Sequence, residues 1–308
     1  MSDPDVPGMK RTPASFACFG EALWDVLPRG IFLGGAPLNV ACHLTRHGVA
    51  TRLITAVGRD FLGEEIVRRL QAWDLDPRDV TRDPARPTGV VRAELDERGV
   101  ARYEIARHAA WDAITAPTSQ RLGPAPGAIV FGTLALRNAP NRQTLEQLIA
   151  AWPKAIRVLD LNLRAPFDRP SVIRWALRRA QILKLNDAEL AHLSGVMTLR
   201  PGELKRAARQ LALRHGLDRI CVTAGAHGAG LWWDGAWYWE AGQKVAVRDT
   251  VGAGDAFLAS LLTAVLVRRA KPAEALATAC RLGEFVAGCD GATPVYKIGP
   301  RGLPRPGR

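Results

Sequence analysis

The chain has 308 residues, 47% apolar and 23% charged, which is the composition of a soluble globular protein with room for one large folded unit. No run of about 18 uncharged apolar residues offers a membrane span, and the N-terminus lacks the apolar stretch of a signal peptide, so a cytoplasmic protein without membrane contacts is expected. The net charge of +12 is spread along the chain, and only seven of the 42 basic residues are lysine; an anionic small substrate accounts for the excess better than a nucleic acid.

Residues 1–13 carry Asp3, Asp5, Lys10 and Arg11 among prolines and read as a loose tail. Beyond them, short apolar or β-branched runs at 16–19, 52–57, 128–131, 157–161, 182–185 and 219–223 predict strands. Helical spacing predicts helices over 37–47, 62–73, 141–152, 170–179 and 201–215, with Pro37 and Pro170 suited to a first helical position. Alternation of this kind builds a mainly parallel α/β sheet covered on both faces. One segment breaks the rhythm: residues 88–105 alternate around the charged turn Asp96-Glu97-Arg98-Gly99 and predict a β-hairpin. With the strand-like stretch 22–33 it is expected to form a small sheet that projects from the body and covers a substrate. Trp232, Trp233, Trp237 and Trp239 read as strand packing without a catalytic role. Residues 299–308 hold three prolines, three glycines and three arginines and predict disorder. The chain is thus expected to be one domain over 14–298, with a lid from about 22–34 and 88–106.

Five scattered cysteines without a C-x-x-C pair argue for reduced, buried thiols. His43 and His47 lie at i, i+4 but lack a third ligand, and read as a surface pair on a helix. No lysine follows a glycine, which rules out a Walker A loop, and G-x-S-x-G is absent too.

The string Asp249-Thr250-Val251-Gly252-Ala253-Gly254-Asp255-Ala256-Phe257 precedes a strongly helical run. Two glycines at a helix start let backbone N–H groups converge on one point, where the helix dipole favours an anion, so a phosphate is the natural occupant. A carboxylate beside a phosphate repels it unless it has another task, and Asp255 is suited to accept a proton from an attacking hydroxyl.

At this point the sequence resembles the ribokinase-like (PfkB-type) carbohydrate kinases, over roughly residues 16–293. The resemblance implies a three-layer α/β/α sandwich with a small β-sheet lid, and ATP-dependent transfer of a phosphoryl group to a sugar hydroxyl. It implies Asp255 as base and the amides of Gly252, Ala253 and Gly254 as anion hole. Gly34-Gly35-Ala36-Pro37-Leu38-Asn39 resembles the other signature, in which the glycines admit the sugar and Asn39 bonds its hydroxyls. Gly20-Glu21-Ala22-Leu23-Trp24-Asp25 is similar to the opening strand, placing Asp25 on the sugar. Asp160-Leu161-Asn162-Leu163-Arg164 resembles D-x-N-x-R, with Asn162 and Arg164 near substrate and transferred phosphate. Asn186-Asp187-Ala188-Glu189 resembles N-x-x-E, in which Glu189 positions Mg²⁺ through water. Thr223-Ala224-Gly225-Ala226-His227-Gly228 resembles the turn lining the ATP site. The resemblance further implies a monovalent cation, K⁺, at Asp249, Val251, Val286, Cys289 and Gly291, and a homodimer through the lid. With Ala109-Ala110-Trp111-Asp112-Ala113-Ile114, whose Trp111 is placed against a sugar face, it is closest to the bacterial fructokinase branch. Fructose is therefore the expected acceptor, with 2-keto-3-deoxygluconate and ribose as alternatives. A non-catalytic nucleotide- or sugar-sensing protein is the rival reading, which the carboxylate of Asp255 disfavours.

Overall fold

The structure is a computed structural model that describes residues 15–27, 30–95 and 101–307. The loose tail and the charged turn expected from the sequence lie outside the described residues. In chain order the elements are β1 (Ser15–Phe19), β2 (Leu23–Leu27), β3 (Gly30–Gly34), α1 (Ala36–Arg46), β4 (Ala50–Gly58), α2 (Phe61–Ala72), β5 (Val80–Asp83), β6 (Gly89–Leu95) and β7 (Ala101–Ile105). Next come α3 (Ser119–Leu122), β8 (Ala128–Gly132), α4 (Ala139–Ala151), β9 (Ile156–Asp160), α5 (Pro170–Leu177), β10 (Ile182–Asn186), α6 (Asp187–Ser194) and α7 (Pro201–His215). The chain ends with β11 (Arg219–Thr223), β12 (Gly228–Trp233), β13 (Ala236–Ala241), α8 (Ala253–Leu262), α9 (Pro272–Ala287), β14 (Tyr296–Ile298) and β15 (Pro304–Pro306).

Nine strands form one sheet in the order β13-β12-β11-β10-β9-β8-β1-β4-β5. Its pairs from β11 to β5 are parallel, and the β11-β12-β13 edge is antiparallel. Side chains of a strand alternate between faces, and β1 shows the consequence. Phe16 and Cys18 enter a core built with α1, α2 and α8, whereas Ala17 and Phe19 enter a second core with α4, α5 and α7. Burial on both faces is why β8 is apolar throughout. The parallel strands all run towards one end of the sheet, where their C-terminal ends leave a crevice.

The expected small sheet is present as β3-β2-β6-β7, with β2 and β6 parallel and the outer pairs antiparallel. The tryptophans fall on β12 and β13, where Trp232 pairs with Trp237. Trp237 also occupies the space a side chain at Gly230 would need. Helix α9 was not among the expected helices, although Leu276, Cys280, Gly283 and Val286 recur along its buried face. The composition of residues 299–308 predicts disorder, but β14 and β15 pair there as an antiparallel ribbon. Its turn is closed by Gly299 N–H donating to Leu303 O and Gly302 N–H to Gly299 O, each at 2.9 Å, with Gly302 at φ +78°. Among the described residues no helix is long and apolar enough to cross a membrane.

Candidate active site

The site lies where the β2-β3 end of the small sheet, the start of α1 and the start of α8 converge beside the C-terminal ends of β9, β10 and β11. Gly252 caps α8 at φ +77°, and a Cβ there would come within 2.5 Å of Ala292, so only glycine fits. Glycine at this left-handed cap fits the two-glycine string, and the next amide, Ala253 N–H, donates to Thr250 O at 3.3 Å. Asp255 stands in the first turn of α8 and is buried. Asn39, in α1, donates from Nδ2 to Asp255 Oδ2 at 2.8 Å, which joins the expected sugar side to the expected phosphate side. Burial, and then the nearby Asp160, push the Asp255 carboxyl up to about 6, while Lys184, the Asn39 bond and Arg164 pull it down. A carboxyl poised there can accept a proton near neutral pH.

The two signature glycines have a different local cause from the one inferred. A Cβ on Gly34 would meet Asp25 Oδ2 at 2.3 Å, and one on Gly35, at φ +110°, would meet the Glu21 carbonyl at 2.4 Å. Their first service is therefore to let the chain close over Asp25 and Glu21. Burial raises Asp25 to about 6 and Glu21 to about 7, and the guanidinium of Arg164 lowers both. Arg164 thus acts on Glu21, Asp25 and Asp255 together. Asn162 takes φ +41° in the loop that leads to it. Trp111 does not face the crevice. It is 1% exposed, its ring is covered by the Arg137 guanidinium 4.0 Å from the centroid, and its Nε1 fills the space beside Gly89. Asp112 holds Arg137 in place at 2.7 Å.

On the other side of Gly254 a cavity of about 750 Å³ runs along α9. It gathers Asn186, Thr223, Gly225, Gly228 and Gly254 of the expected nucleotide side together with Ala253 of the expected anion hole, and adds apolar Val245, Val247 and Phe257, whereas Glu189 and Gly252 do not line it. The mix of apolar walls and a few polar groups suits a nucleotide. Asn186 caps α6 by accepting from Glu189 N–H at 2.8 Å, and Glu189 accepts from Asn186 N–H at 2.8 Å and Leu163 N–H at 2.7 Å. Among the described residues no group of three or more His, Cys, Asp or Glu could hold a metal by itself. Of the residues named for a monovalent cation, Asp249 accepts from Val251 N–H at 3.0 Å and Gly291 N–H at 3.3 Å, and Cys289 N–H bonds Val286 O at 2.9 Å beside them.

Three features escape sequence reasoning. Lys184 and Asp160, from adjacent strands, form a buried ion pair at 3.0 Å beneath Gly254. Glu21 stands in the string 20–25 without a role expected from the sequence, yet it is a buried carboxyl within the influence of Arg164 and Asp255. His43 is fully buried rather than on the surface. Its Nε2–H donates to Ala292 O at 3.0 Å, which leaves Nδ1 to accept from the Tyr296 hydroxyl at 2.6 Å. Burial holds its pKa down at about 3, so the ring is neutral and ties α1 to the loop under Gly252.

Comparisons with known proteins bear on the family and the fold. The chain is 32% identical over 265 residues to a fructokinase of Rhizobium leguminosarum bv. trifolii, covering 80% of this chain and 78% of the relative. It is 31% identical over 270 residues to a 2-dehydro-3-deoxygluconokinase of Thermoproteus tenax, covering 82% and 79%. The fold matches that of a Vibrio cholerae O395 fructokinase bound to fructose, ADP and potassium ion, with TM-score 0.79, 23% identity and coverage of 92% and 96%. Residues 28–297 match the pfkB family carbohydrate kinase description, and the chain belongs to that family.

Proposed function

We propose that this sugar kinase transfers the γ-phosphate of ATP to a hydroxyl of D-fructose. The observation that carries the mechanism is the Asn39–Asp255 hydrogen bond, because it sets a base at the seam between a polar sugar pocket and a phosphate-binding helix start. Asp25, Asn39 and the 34–35 turn orient the sugar, with Asn162 beside them. Asp255 takes the proton of the attacking hydroxyl. The Gly252–Gly254 amides and Arg164 hold the transferred group, and phosphoryl transfer needs mainly this alignment and charge stabilisation. The cavity walls from Thr223 to Gly228 and along α9 hold the nucleotide. When bound, Mg²⁺ would neutralise charge on the nucleotide phosphates, and Glu189 would hold it through water. A K⁺ ion would be held by the carbonyls of Val251, Val286, Cys289 and Gly291 beside Asp249. The small sheet serves as lid and as the face for a homodimer, in a cytoplasmic enzyme.

The Rhizobium relative supports fructose and the Thermoproteus relative supports 2-keto-3-deoxygluconate, at nearly equal identity. A site that pairs buried polar groups with particular hydroxyls separates such sugars by as much as about 10⁴. Purified enzyme assayed with ATP and each of fructose, 2-keto-3-deoxygluconate and ribose decides. Fructose is expected to have the highest kcat/KM, and a higher value for either alternative overturns the choice of sugar while leaving the kinase chemistry in place.

A further inference from the structure

Strand β10 runs into the nucleotide cavity at Asn186, and Lys184, two residues earlier, points to the same side of the sheet. Its ammonium lies 3.0 and 3.3 Å from the two oxygens of Asp160. A Cβ placed on Gly254 would sit 3.0 Å from the same nitrogen, so the cation lies directly against the first turn of α8. An ammonium has three N–H donors, and among the described residues the hydrogen bonds of the Lys184 ammonium go to Asp160. Burial works against its charge, but Asp160, Asp255 and Glu189 outweigh that cost and keep its pKa above the ordinary lysine value.

A buried ion pair is a poor way to gain stability, since apolar residues of like volume serve as well or better. This one is set where negative charge must be gathered, under the residue between Ala253 and the base. Asp160 holds the ammonium of Lys184 through two of its three donors, so the pair brings a fixed cation with one donor to spare to the floor of the anion hole.

We propose that Lys184 is a further catalytic residue, which donates a hydrogen bond to the phosphoryl group in transit while Asp160 holds it in position. The inference rests on the reading of Gly252–Gly254 as the anion hole. In the step, the bond from phosphorus to the sugar oxygen forms as the bond to the leaving oxygen breaks. The electron pair of that broken bond stays on ADP, the sugar proton goes to Asp255, and Lys184 keeps its own proton throughout. Its charge offsets the negative charge that spreads over the phosphoryl oxygens.

The test replaces the whole pair, so that no buried charge is left alone and no side-chain donor remains at 184: Lys184→Met with Asp160→Leu, and in parallel Lys184→Met with Asp160→Asn. Both double variants are expected to bind ADP like the parent, but to lose turnover by about 10² or more, the scale of one removed donor in an anion hole. Aluminium fluoride, a mimic of the phosphoryl in transit, is expected to tighten ADP binding in the presence of sugar in the parent and not in the variants. Turnover within about threefold of the parent in either folded variant, far above that donor scale, overturns the proposal and leaves Lys184 as a counter-ion of Asp160. Asp255→Asn is run alongside. If it stays active, the reading of the site fails; if it is inactive while a double variant is active, only the role of Lys184 fails.

Discussion

Asn39 and Asp255 are 216 residues apart in sequence and joined side chain to side chain at 2.8 Å. The bond lies between the first turns of two helices, one carrying the glycines of the small sheet and the other those of the anion hole. It favours the ionised form of a carboxyl whose pKa is raised by burial, as Lys184 does more strongly.

Replacing Asp255 by Asn keeps its size and removes proton acceptance, so turnover should fall by about 10² or more with ATP affinity little changed. Steady-state kinetics with ATP binding measured separately would check this. Retention of more than about a third of turnover would refute Asp255 as the base.

The same variant has a stability signature. The folded state holds the Asp255 proton up to about 6, against an ordinary value of 3.8, so wild type loses stability as pH rises through that window. Below it the carboxyl is protonated whether folded or not, and nothing is lost. The gain in Tm from Asp255→Asn should therefore be larger near pH 8 than near pH 4. An equal difference at both ends would mean that the carboxyl is not raised.

Asn39→Ala removes a bond that favours the ionised base. The acidic limb of the kcat/KM profile, placed near 6 by the carboxyl of Asp255, should move towards neutral pH. kcat/KM for the sugar should fall about tenfold or more, the scale of one hydrogen bond to a charged group. An unmoved limb would separate Asn39 from the base.

Trp111 is a core residue, so Trp111→Ala should cost about 3–5 kcal/mol of stability, read from the denaturant midpoint. The folded variant should keep its sugar KM within a few-fold. Unchanged stability with a KM raised tenfold would return Trp111 to the sugar face.

The small sheet is the element that breaks the βα rhythm, and it carries Asp25. Sugar binding should slow amide exchange along β6 and β7 more than ATP alone does. Equal exchange with and without sugar would make the sheet an edge decoration.

What the sequence determined by itself is what local chemistry dictates. Gly252 to Asp255 is legible because a left-handed cap, the first turn of a helix and a carboxylate within it all fall within four consecutive residues. The strand pattern of β1, β4 and β8 to β11 is legible because burial on both faces demands apolar runs. Only the tertiary structure decided the rest, because those contacts join residues far apart in sequence. Trp111 looks alike in sequence whether it meets a sugar or Arg137, and the choice is made by the ion pair of Arg137 with Asp112. His43 has helical neighbours that suit a surface, but the β14 segment returns to cover it with Tyr296. Gly34 and Gly35 mark a close approach, and the fold decides that the nearest groups are Asp25 and the Glu21 carbonyl. Lys184 carries no motif at all; only the pairing of β9 with β10 sets it opposite Asp160 and beneath Gly254.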